Sequence, residues 1–426
     1  MKKVIIIGGG FGGINLAAGL AGKKDFDVTI VDRNNYNFFP PLLYQIATGY
    51  LETSNISYPF RKLWRGKENI HFHMAEFQQV NPLEKTIILS TGEMKYDYLV
   101  FATGTKTNYF GLENVAQNAL PMKTLNDALE LRNYLLQIME CAVQTKDKEE
   151  RKRLLTIVVA GAGPTGVEIS GMLAEMKRKV VPKDYPELIS ENPEMKIYLV
   201  DAANTVLPPM SRRSQADTFT ALTKLGVEII LGLQVKDYID DTVLFTNGDK
   251  IATKTLIWAA GVTASVFEGI PMSCYGRGKR LIVDEYNEVK SMSNIFAIGD
   301  TCLQTSDPKF PGGHPQLAQP AIQQGKRLAK NLIATASGKT RKPFFYFDKG
   351  TMAIIGWNKA VVDTPKPKLH FKGFIAWFMW LFVHLMFLVN YRNRIRTLYN
   401  WLTAYFSKDQ TLRMIIRPDS KHKRAA

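Results

Sequence analysis

Two short segments of the chain are continuously apolar and rich in β-branched residues: residues 4–7 (Val-Ile-Ile-Ile) and residues 156–160 (Thr-Ile-Val-Val-Ala). A strand that is buried on both faces has this pattern, whereas a half-exposed strand alternates apolar and polar residues. Each segment is followed by glycines and then by a stretch that suits a helix. The pattern therefore predicts two buried parallel strands, each of which opens a strand–helix–strand unit.

The loop after each predicted strand carries the glycine pattern of dinucleotide-binding proteins. The first loop contains Gly8, Gly9, Gly10, Phe11, Gly12 and Gly13, and the second contains Gly161, Ala162, Gly163, Pro164, Thr165 and Gly166. Glycines permit a tight turn and let the backbone approach a pyrophosphate, while the N-terminus of the following helix attracts the anion. One such loop can be a turn without a ligand. Two loops in this setting predict two bound dinucleotides and electron transfer between them.

An acidic residue closes the second predicted strand of each unit, where it can bind the hydroxyls of a ribose. Asp32 ends residues 27–32, close to the offset of about 20 residues that the fingerprint requires. Asp201 ends residues 196–201 and comes later, which predicts an inserted loop between residues 183 and 193. A carboxylate accepts from a ribose 2′-OH and repels a 2′-phosphate, so Asp201 suits a dinucleotide that lacks this phosphate.

The length and charge of the chain narrow its class. Its 426 residues suit two or three domains, and its net charge of +16 suggests an anionic partner. No basic block stands beside an aromatic RNA-binding motif, so an anionic membrane surface is favoured and nucleic acid is not expected. The glycines of residues 8–13 interrupt the apolar N-terminus before a signal peptide is complete. We therefore expect the protein in the cytosol or at the cytoplasmic face of the cell membrane.

Cysteine is scarce, and the three cysteines, Cys141, Cys274 and Cys302, are far apart in the sequence. A CxxC redox pair, a zinc cluster and an iron–sulfur centre all need closely spaced thiolates, so the sequence excludes them. We expect no metal site, and we interpret the three cysteines as small buried apolar residues.

The C-terminal part of the chain predicts a membrane-binding surface. Residues 373–389 form an apolar run that would span about 26 Å as a helix, short of the ~30 Å hydrocarbon core, so a full crossing is disfavoured. The next residues predict a basic amphipathic helix that lies in the membrane interface. The apolar face of this helix consists of Tyr391, Ile395, Leu398, Leu402 and Tyr405. The cations that flank it are Arg392, Arg394 and Arg396, and Trp401 is an additional anchor. Packing of this helical pair on the protein's own core or on a dimer partner is the alternative. A charged run at residues 146–153 is interpreted as a solvated loop.

Five further segments carry a resemblance to a known family: residues 33–49, 102–104, 258–262, 295–300 and 318–325. With them, the chain resembles the type II NADH:quinone oxidoreductases, single-subunit NADH dehydrogenases that do not pump protons, from Lys2 to the C-terminal tail. The segment Leu-Leu-Tyr-Gln at residues 42–45 and the glutamines of residues 318–325 are specific to this family. The glycine loops and the Gly-Asp pair at residues 299–300 are shared by all flavoproteins with two dinucleotide-binding domains.

The resemblance implies which residues bind the cofactors. The loop with Gly8, Gly10, Phe11, Gly12 and Gly13 should hold the pyrophosphate of FAD, with Asp32 on its adenosine ribose and Asp300 on the ribityl or phosphate region. The loop with Gly161, Gly163, Pro164, Thr165 and Gly166 should hold NADH together with Asp201. Further cofactor contacts are expected at Leu42, Ala102, Thr103, Gly104, Ala260, Gly261, Gly299 and Ala318, and Arg33 is expected to contact the flavin or solvent.

Three residues are candidates for direct roles in the reaction. Glu168 lies one turn into the second dinucleotide-binding helix, and we place it near the flavin and nicotinamide, with a structural ion pair as its alternative role. Gln319 and Gln323 are four residues apart and share one face of a predicted helix. Two amides among small residues suit a flat quinone head group, and ordinary helix packing is the alternative. The family pattern has a second acid where this chain has Met172, and a histidine where it has Asn37. Roles that would need that acid or that histidine therefore do not carry over to this chain.

The expected fold is α/β, with two Rossmann-like domains of the glutathione-reductase type and a C-terminal helical membrane-anchoring region. We expect an FAD domain at residues 1–113 and 284–340, an NADH domain at 114–283 and the anchoring region at 341–426, in a homodimer. The expected function is transfer of a hydride from NADH to FAD and of two electrons to a membrane quinone. The alternatives are a disulfide reductase, a sulfide:quinone oxidoreductase, another NAD(P)H-dependent flavin reductase and a non-catalytic NADH-sensing protein that docks on membranes.

Overall fold

The computed structural model describes residues 1–190, 195–407 and 412–416. The chain divides into two compact units, each assembled from three separate stretches. Unit 1 comprises Met1–Phe38, Ser57–Lys106 and Val262–Lys349, and unit 2 comprises Phe39–Ile56, Thr107–Gly261 and Gly350–Ala426.

Helices separate successive strands at residues 2–32 and 156–231, as an α/β fold requires, whereas residues 70–107 and 227–304 contain consecutive strands without an α-helix. The strands are β1 Lys2–Ile7, β2 Phe26–Asp32, β3 Tyr36–Phe38, β4 Ser57–Pro59, β5 Ile70–Met74, β6 Phe77–Asn81, β7 Thr86–Leu89, β8 Gly92–Lys95, β9 Tyr98–Phe101, β10 Lys106–Thr107, β11 Leu120–Pro121, β12 Thr156–Ala160, β13 Lys196–Asp201, β14 Val227–Leu231, β15 Val235–Ile239, β16 Thr242–Phe245, β17 Lys250–Ala252, β18 Thr255–Trp258, β19 Val262–Thr263, β20 Leu281–Val283, β21 Ile295–Ala297, β22 Cys302–Gln304, β23 Thr351–Gly356, β24 Lys359–Pro365 and β25 Lys368–Lys372.

The α-helices are α1 Phe11–Leu20, α2 Leu43–Ala47, α3 Thr53–Ile56, α4 Phe60–Leu63, α5 Glu113–Asn118, α6 Leu125–Gln144, α7 Lys148–Leu155, α8 Pro164–Lys179, α9 Val181–Asp184, α10 Glu187–Ser190, α11 Arg212–Leu225, α12 Ala318–Ala336, α13 Gly373–Phe387 and α14 Tyr391–Ser407. Short 3₁₀ segments lie at Pro40–Leu42, Met272–Cys274, Arg277–Lys279 and Gly299–Thr301.

Unit 1 is built on a parallel sheet with strand order β21-β9-β1-β2-β5. The central strand β1 is buried at residues 4–7, which confirms the buried strand predicted there. Helices α1 and α12 pack against each other, and a Cβ on Gly19 would lie 2.5 Å from the Cβ of Ala329. Glycine at this position therefore lets the two helices approach closely, which brings the start of α12 to the loop after β1.

Unit 2 repeats this plan with the parallel order β11-β18-β12-β13-β14. Strand β12 is buried along its whole length, as predicted from its continuous apolar pattern. An apolar cluster that includes Val158, Val200 and Trp258 covers part of the sheet. The unit also contains the antiparallel sheets β15-β16-β17 and β23-β24-β25.

The unit boundaries differ from the predicted domain boundaries. Residues 39–56 group with the C-terminal helices in unit 2 and not with the flavin-loop residues, since Asn393 donates to the backbone carbonyls of Ser54 and Asn55. The second junction lies at residues 261–262, earlier than the predicted 283–284. These differences in the boundaries do not move either glycine loop to the other unit. The assignment of one cofactor to each domain stays a prediction.

The C-terminal region contains the expected helices, and they are preceded by strands that the sequence did not predict. Strands β23, β24 and β25 form an antiparallel sheet before α13 begins at Gly373. Helix α13 has fifteen residues, about 22 Å, and α14 follows it. In the described parts of the chain, no helix combines the length and the apolar character that crossing a bilayer requires.

Two local predictions need correction. The charged run at residues 146–153 is mostly helix α7 and not a loop, because Asp147 accepts from the backbone N–H groups of Glu149 and Glu150 as an N-cap. Acids in its first turn and bases in its last turn also suit the helix dipole. The insertion before Asp201 contains the short helices α9 and α10, and its last residues, 191–194, lie outside the described residues.

Candidate active site

The first glycine loop lies at the carboxyl edge of the parallel sheet in unit 1. Gly8 has a φ of +103°, and a Cβ there would lie 2.5 Å from the carbonyl oxygen of Ala102. A Cβ on Gly13 would lie 2.0 Å from the Gly8 oxygen, whereas a Cβ on Gly10 would meet no atom within 4 Å. The loop is therefore closed on the strand side and open above Gly10, which is the shape that a pyrophosphate requires.

The same edge gathers the other residues expected to bind FAD, because β9 and β21 end beside β1. Ala102, Thr103 and Gly104 follow β9, and Gly299 and Asp300 follow β21. The Thr105 hydroxyl donates a 3.4 Å hydrogen bond to the Asp300 carboxylate. Ala318 is the first residue of α12. The structure thus brings these sequence-predicted residues of unit 1 to one edge.

Asp32 fixes the first loop through its backbone. Its carboxylate accepts from the N–H groups of Gly9 at 2.7 Å and Asn34 at 2.8 Å. Burial raises the pKa of this carboxyl, and the two amides and the positive charge of Arg33 oppose the rise. Each carboxylate oxygen has lone pairs beyond the amide it accepts from, so ribose hydroxyls can bind the same group. The Arg33 side chain itself is exposed.

The second glycine loop has the same construction in unit 2. Gly161 has a φ of +108°, and a Cβ there would lie 2.4 Å from the Ala259 oxygen and 2.7 Å from the Ala260 Cα. A Cβ on Gly166 would lie 1.7 Å from the Gly161 oxygen, and one on Gly163 would meet nothing within 4 Å. Pro164 is the first residue of α8, with exposed Thr165 next to it. Gly261 also follows β18 at this edge, close to the Phe110 ring.

Asp201 repeats the role of Asp32. Its carboxylate accepts from the N–H groups of Ala162 and Ala203. Ala162 is the second residue of its loop, as Gly9 is, and Ala203 lies two residues after the acid, as Asn34 does. Both units therefore use one acid to hold the loop amide and to present carboxylate oxygens at the open glycine. The geometry fits a dinucleotide at each site.

Asn37 and Gln324, to which the sequence assigned no role, support the first loop. The buried Asn37 amide donates to the Gly9 carbonyl at 2.7 Å, so an uncharged side chain fixes the loop where a histidine was expected. The buried Gln324 side chain accepts from the Gly299 N–H at 2.7 Å. Gln324 is adjacent to the predicted Gln323, and the change from partly exposed to buried between these neighbours follows the helix period.

The glutamines predicted to bind quinone lie near the start of α12 and contact residues 346–349. The Gln319 side-chain oxygen accepts from the Tyr346 hydroxyl and the Lys349 N–H, both at 3.3 Å. Gln323 accepts from the Phe347 N–H at 3.1 Å and donates to its carbonyl at 2.9 Å. Because a backbone N–H can only donate, these contacts fix the direction of both carboxamides.

Glu168 is buried in α8 of unit 2. Burial raises its pKa well above the ordinary value, while the backbone of Ile354 and the side chain of Trp380 oppose the rise. Among the described residues, the structure gives no lysine or arginine as an ion-pair partner of Glu168. The alternative role as a structural ion pair with a lysine therefore has no support among the described residues, and burial favours the protonated form of the carboxyl.

The family-specific segment at residues 42–45 packs in unit 2 with the C-terminal helices. Leu42 is fully buried, and the Tyr44 ring lies 6.4 Å from the Trp380 ring. Burial raises the pKa of Tyr44 well above its usual range, and the nearby Glu168 adds to the rise. His384 stacks on Trp380 at 3.7 Å and donates from Nδ1 to its carbonyl, and burial lowers its pKa to about 4. His384 is therefore neutral at pH 7.

Helix α14 packs on the protein through a polar face and leaves its predicted apolar face exposed. Asn393 and Thr397 pack inward, whereas the predicted apolar face is largely exposed. The exposed apolar residues on α13 and α14 are Phe374, Ile375, Phe378, Phe382, Met386, Phe387, Tyr391, Ile395, Leu398, Tyr399, Leu402 and Phe406. Packing on the chain's own core therefore accounts for the polar face only, and the apolar face stays uncovered by the described residues.

Comparison with known proteins agrees with this class of site. A family model described as pyridine nucleotide-disulphide oxidoreductase matches residues 2–325, and a model of the NDH2 C-terminal domain matches residues 349–409. The type II NADH:quinone oxidoreductase NdhA of Mycobacterium tuberculosis is 37% identical over 424 residues, which cover 95% of this chain and 87% of that protein.

Solved structures share the fold. The structure of NDH2 from Plasmodium falciparum in complex with NADH has a TM-score of 0.87 at 23% identity, and the match covers 98% of this chain and all of that one. The sulfide:quinone oxidoreductase of Aquifex aeolicus has a TM-score of 0.71 at 20% identity, with 98% and 96% of the two chains covered. The fold and the duplicated loops thus define a pyridine nucleotide-disulphide oxidoreductase. Within that class, the chain belongs to the type II NADH:quinone oxidoreductases, as its sequence resemblance indicated.

Proposed function

We propose that the protein oxidises NADH with the help of bound FAD and reduces a membrane quinone without pumping protons. The observation that carries this proposal is the duplicated site, in which Asp32 and Asp201 each hold a glycine-loop amide beside an open glycine. Two dinucleotide sites of this kind suit a flavin and a nicotinamide. FAD, when bound, would supply the redox chemistry, taking a hydride from NADH and giving two electrons to the quinone.

The chain's own residues would bind and orient these groups. The Gly8 loop, Asp32 and Asp300 would hold FAD, and the Gly161 loop with Asp201 would hold NADH. The exposed position of Arg33 favours a solvated side chain. Leu42 would act through packing, because it is fully buried within unit 2.

Glu168 and the glutamines would serve the reacting groups. Burial raises the pKa of Glu168 and so favours its protonated form, which is the form that a proton donor to a reduced acceptor needs. Gln319 would offer a hydrogen bond to a quinone carbonyl, since its amide direction is fixed by Lys349. Gln323 would act beside it, with its side chain held by the Phe347 backbone.

The exposed apolar residues of α13 and α14 support peripheral attachment to an anionic membrane surface. Arg392 and Arg396 are exposed beside this apolar face. Aromatic and aliphatic side chains next to cations are the composition of a helix that lies in a membrane interface. The cytoplasmic face of the cell membrane and the homodimer are further parts of the proposal.

The main rival is sulfide:quinone oxidation, which needs reactive cysteines beside the flavin. Cys141 is exposed, which corrects the expectation that all three cysteines are buried, whereas Cys274 and Cys302 are buried as expected. Cys302 is near Asp300, but burial raises the pKa of its thiol to about 11, so the nucleophilic thiolate is scarce at neutral pH. The cysteine chemistry therefore favours NADH over sulfide as the electron donor.

Steady-state oxidation of NADH with and without quinone tests the proposal. The purified protein should contain releasable FAD, oxidise NADH slowly alone and oxidise it rapidly when quinone is added. Quinone reduction by sulfide in the absence of NADH would favour the rival enzyme. NADH binding without turnover would instead favour a sensor protein. In a Gly13→Val variant the new side chain would meet the Gly8 oxygen, so this variant should lose FAD. It shows whether NADH oxidation depends on the first glycine loop.

A further inference from the structure

Residues 344–347 alternate between buried and exposed aromatic side chains. Phe344 and Tyr346 are each 3% exposed, whereas Phe345 is 57% and Phe347 is 69% exposed. An extended chain places alternate side chains on opposite sides. The two phenyl groups therefore lie on the same, solvent-facing side of this segment.

The backbone of this segment is held by side chains of unit 1. The Phe344 carbonyl accepts from Gln304 at 2.9 Å, and the Tyr346 N–H donates to Asp307 at 2.9 Å. Both backbone groups of Phe347 bond to Gln323. The exposed rings are thus presented by a fixed backbone and not by a loose loop, which is typical of a surface that binds an apolar group.

We infer that Phe345 and Phe347 form a contact surface for the isoprenoid tail of the quinone, an inference that rests on the proposed function. The two hydrogen bonds between Phe347 and Gln323 place this surface beside the glutamines proposed to bind the head group. An isoprenoid chain is uncharged and branched, so it gains from packing on flat aromatic rings in place of water. The surface would therefore select long-chain over short-chain quinones.

Paired assays with two quinones and a double variant test this inference. Phe345→Ala with Phe347→Ala should lower kcat/KM for a long-chain isoprenoid quinone in liposomes by about tenfold, since two apolar contacts are lost. The value for a short-chain, water-soluble quinone should stay within about twofold, because that substrate lacks the tail. Phe345→Leu with Phe347→Leu should retain most of the long-chain activity, because the apolar surface remains.

Further measurements separate the tail surface from other roles. Phe219→Ala, at an exposed phenylalanine of α11, is the matched control and should leave both quinones unaffected. Lys342 and Lys349 flank the segment and would also suit lipid head groups, so co-sedimentation with the same liposomes is measured. Unchanged co-sedimentation with selective loss of long-chain activity supports the inference.

Several outcomes would overturn it. Equal loss with both quinones, no loss with either, or a loss explained by weaker liposome binding each contradicts a tail surface. A wild-type protein that reduces no quinone of any length would overturn the proposed function as well. Flavin content, measured in every variant, shows whether unit 1 has folded around its cofactor.

Discussion

The indole N–H of Trp401 donates a 2.7 Å hydrogen bond to the side-chain oxygen of Gln45. Gln45 is buried in α2, in the family-specific segment, and Trp401 lies in the C-terminal helix α14. Thus Trp401 is tied to the protein and does not act only as the membrane anchor that its sequence position predicted. A buried acceptor that loses its donor is unfavourable, because it has also lost its contact with water.

Replacing Trp401 with Phe should therefore loosen α14 on unit 2. The Gln45 oxygen would lose its donor, which is worth about 1–3 kcal/mol for a buried group. Amides of α14 should exchange with solvent on the order of tenfold faster or more. Hydrogen–deuterium exchange measures this, with Tyr399→Phe at an exposed position of the same helix as the control. Unchanged exchange in Trp401→Phe would show that the hydrogen bond does not hold the helix.

The sequence predicted the parts of the fold that depend on local pattern. Continuous apolar runs identified β1 and β12, and the glycine loops and their acids marked the carboxyl edges of both sheets. These predictions succeeded because burial and glycine conformation leave direct traces in the residue types. Helix α7 was missed because its charges suggested solvent, although the Asp147 cap and the order of acids before bases favour a helix.

Other features depend on contacts between distant residues and could not be predicted in the same way. The β23–β25 sheet and the grouping of residues 39–56 with the C-terminal helices are set by tertiary packing. The exposed face of α14 was identified correctly as apolar, but its inward face consists of the polar Asn393 and Thr397. Hydrophobic periodicity does not reveal such a face, because it is held by hydrogen bonds to Ser54 and Asn55.

Replacing Asp201 with Ala should weaken both NADH use and the preference for NADH over NADPH. The change removes an acceptor for the ribose 2′-OH and the repulsion of a 2′-phosphate, so the preference should narrow by on the order of tenfold, about 1.4 kcal/mol. It also frees the N–H groups of Ala162 and Ala203, which should raise KM for either nucleotide. The measurement is kcat/KM for both nucleotides at saturating quinone.

Asp249→Ala, in an exposed turn of the same unit, is the control for this experiment. It should leave the ratio of the two kcat/KM values unchanged. Equal use of NADH and NADPH by the unmutated protein would contradict the role given to Asp201.

Replacing Glu168 with Gln should make the protein more stable than the wild type at high pH. The unfolded chain loses this proton near the ordinary pKa of ~4.3, whereas burial raises the pKa of the folded group well above that value. The contribution of Glu168 to the free energy of unfolding is therefore fully present below pH ~4.3. It is lost as the pH rises through the pKa of the folded group. Glutamine has no proton to lose in this range and can still accept from the Ile354 backbone.

Thermal unfolding from acid to alkaline pH measures this difference. The advantage of Glu168→Gln should be absent near pH 4 and should grow until the folded carboxyl ionises. Glu84→Gln, at an exposed turn, should show no such trend. A difference between Glu168→Gln and wild type that does not change with pH would mean that Glu168 is already ionised in the folded protein at neutral pH.

Replacing Gln319 with Leu should slow reoxidation of the flavin by quinone by about tenfold or more and leave its reduction by NADH nearly intact. The substitution removes a hydrogen-bonding group at the proposed acceptor site, and a tenfold change corresponds to about 1.4 kcal/mol, within the range of one lost hydrogen bond. Stopped-flow absorbance separates the two half-reactions. The matched control is Gln144→Leu, at an exposed position of α6.

Tyr346→Phe distinguishes a direct role from a general loosening of the segment. It removes the hydroxyl that contacts Gln319 but keeps the carboxamide and the Lys349 contact. Reoxidation should slow less than in Gln319→Leu. If instead the reductive half-reaction of Gln319→Leu slows as much as the oxidative one, Gln319 supports the flavin and not the quinone.

Replacing both Leu398 and Leu402 with Glu should release the protein from anionic membranes. These side chains are 43% and 49% exposed on the apolar face of α14, so the change puts two charges on the proposed lipid-contact surface without disturbing the core. Attraction of Arg392 and Arg396 to anionic lipid adds about 1 kcal/mol per charge near the surface. Wild-type binding to liposomes should therefore increase with anionic lipid and decrease with salt, whereas the double variant should stay in the soluble fraction.

The control for this experiment has the same charge change on another face of the helix. Because each residue of a helix turns by 100°, Thr403 and Ser407 lie on the same polar side of α14 as Arg396. Thr403→Glu with Ser407→Glu should therefore weaken liposome binding less than the Leu398/Leu402 variant does. The Leu398/Leu402 variant should still pass electrons from NADH to a water-soluble acceptor, while turnover of a long-chain quinone in the bilayer falls. If it unfolds or loses FAD instead, the exposed face is covered by another part of the assembly, and α14 is a structural or dimer element and not a membrane surface.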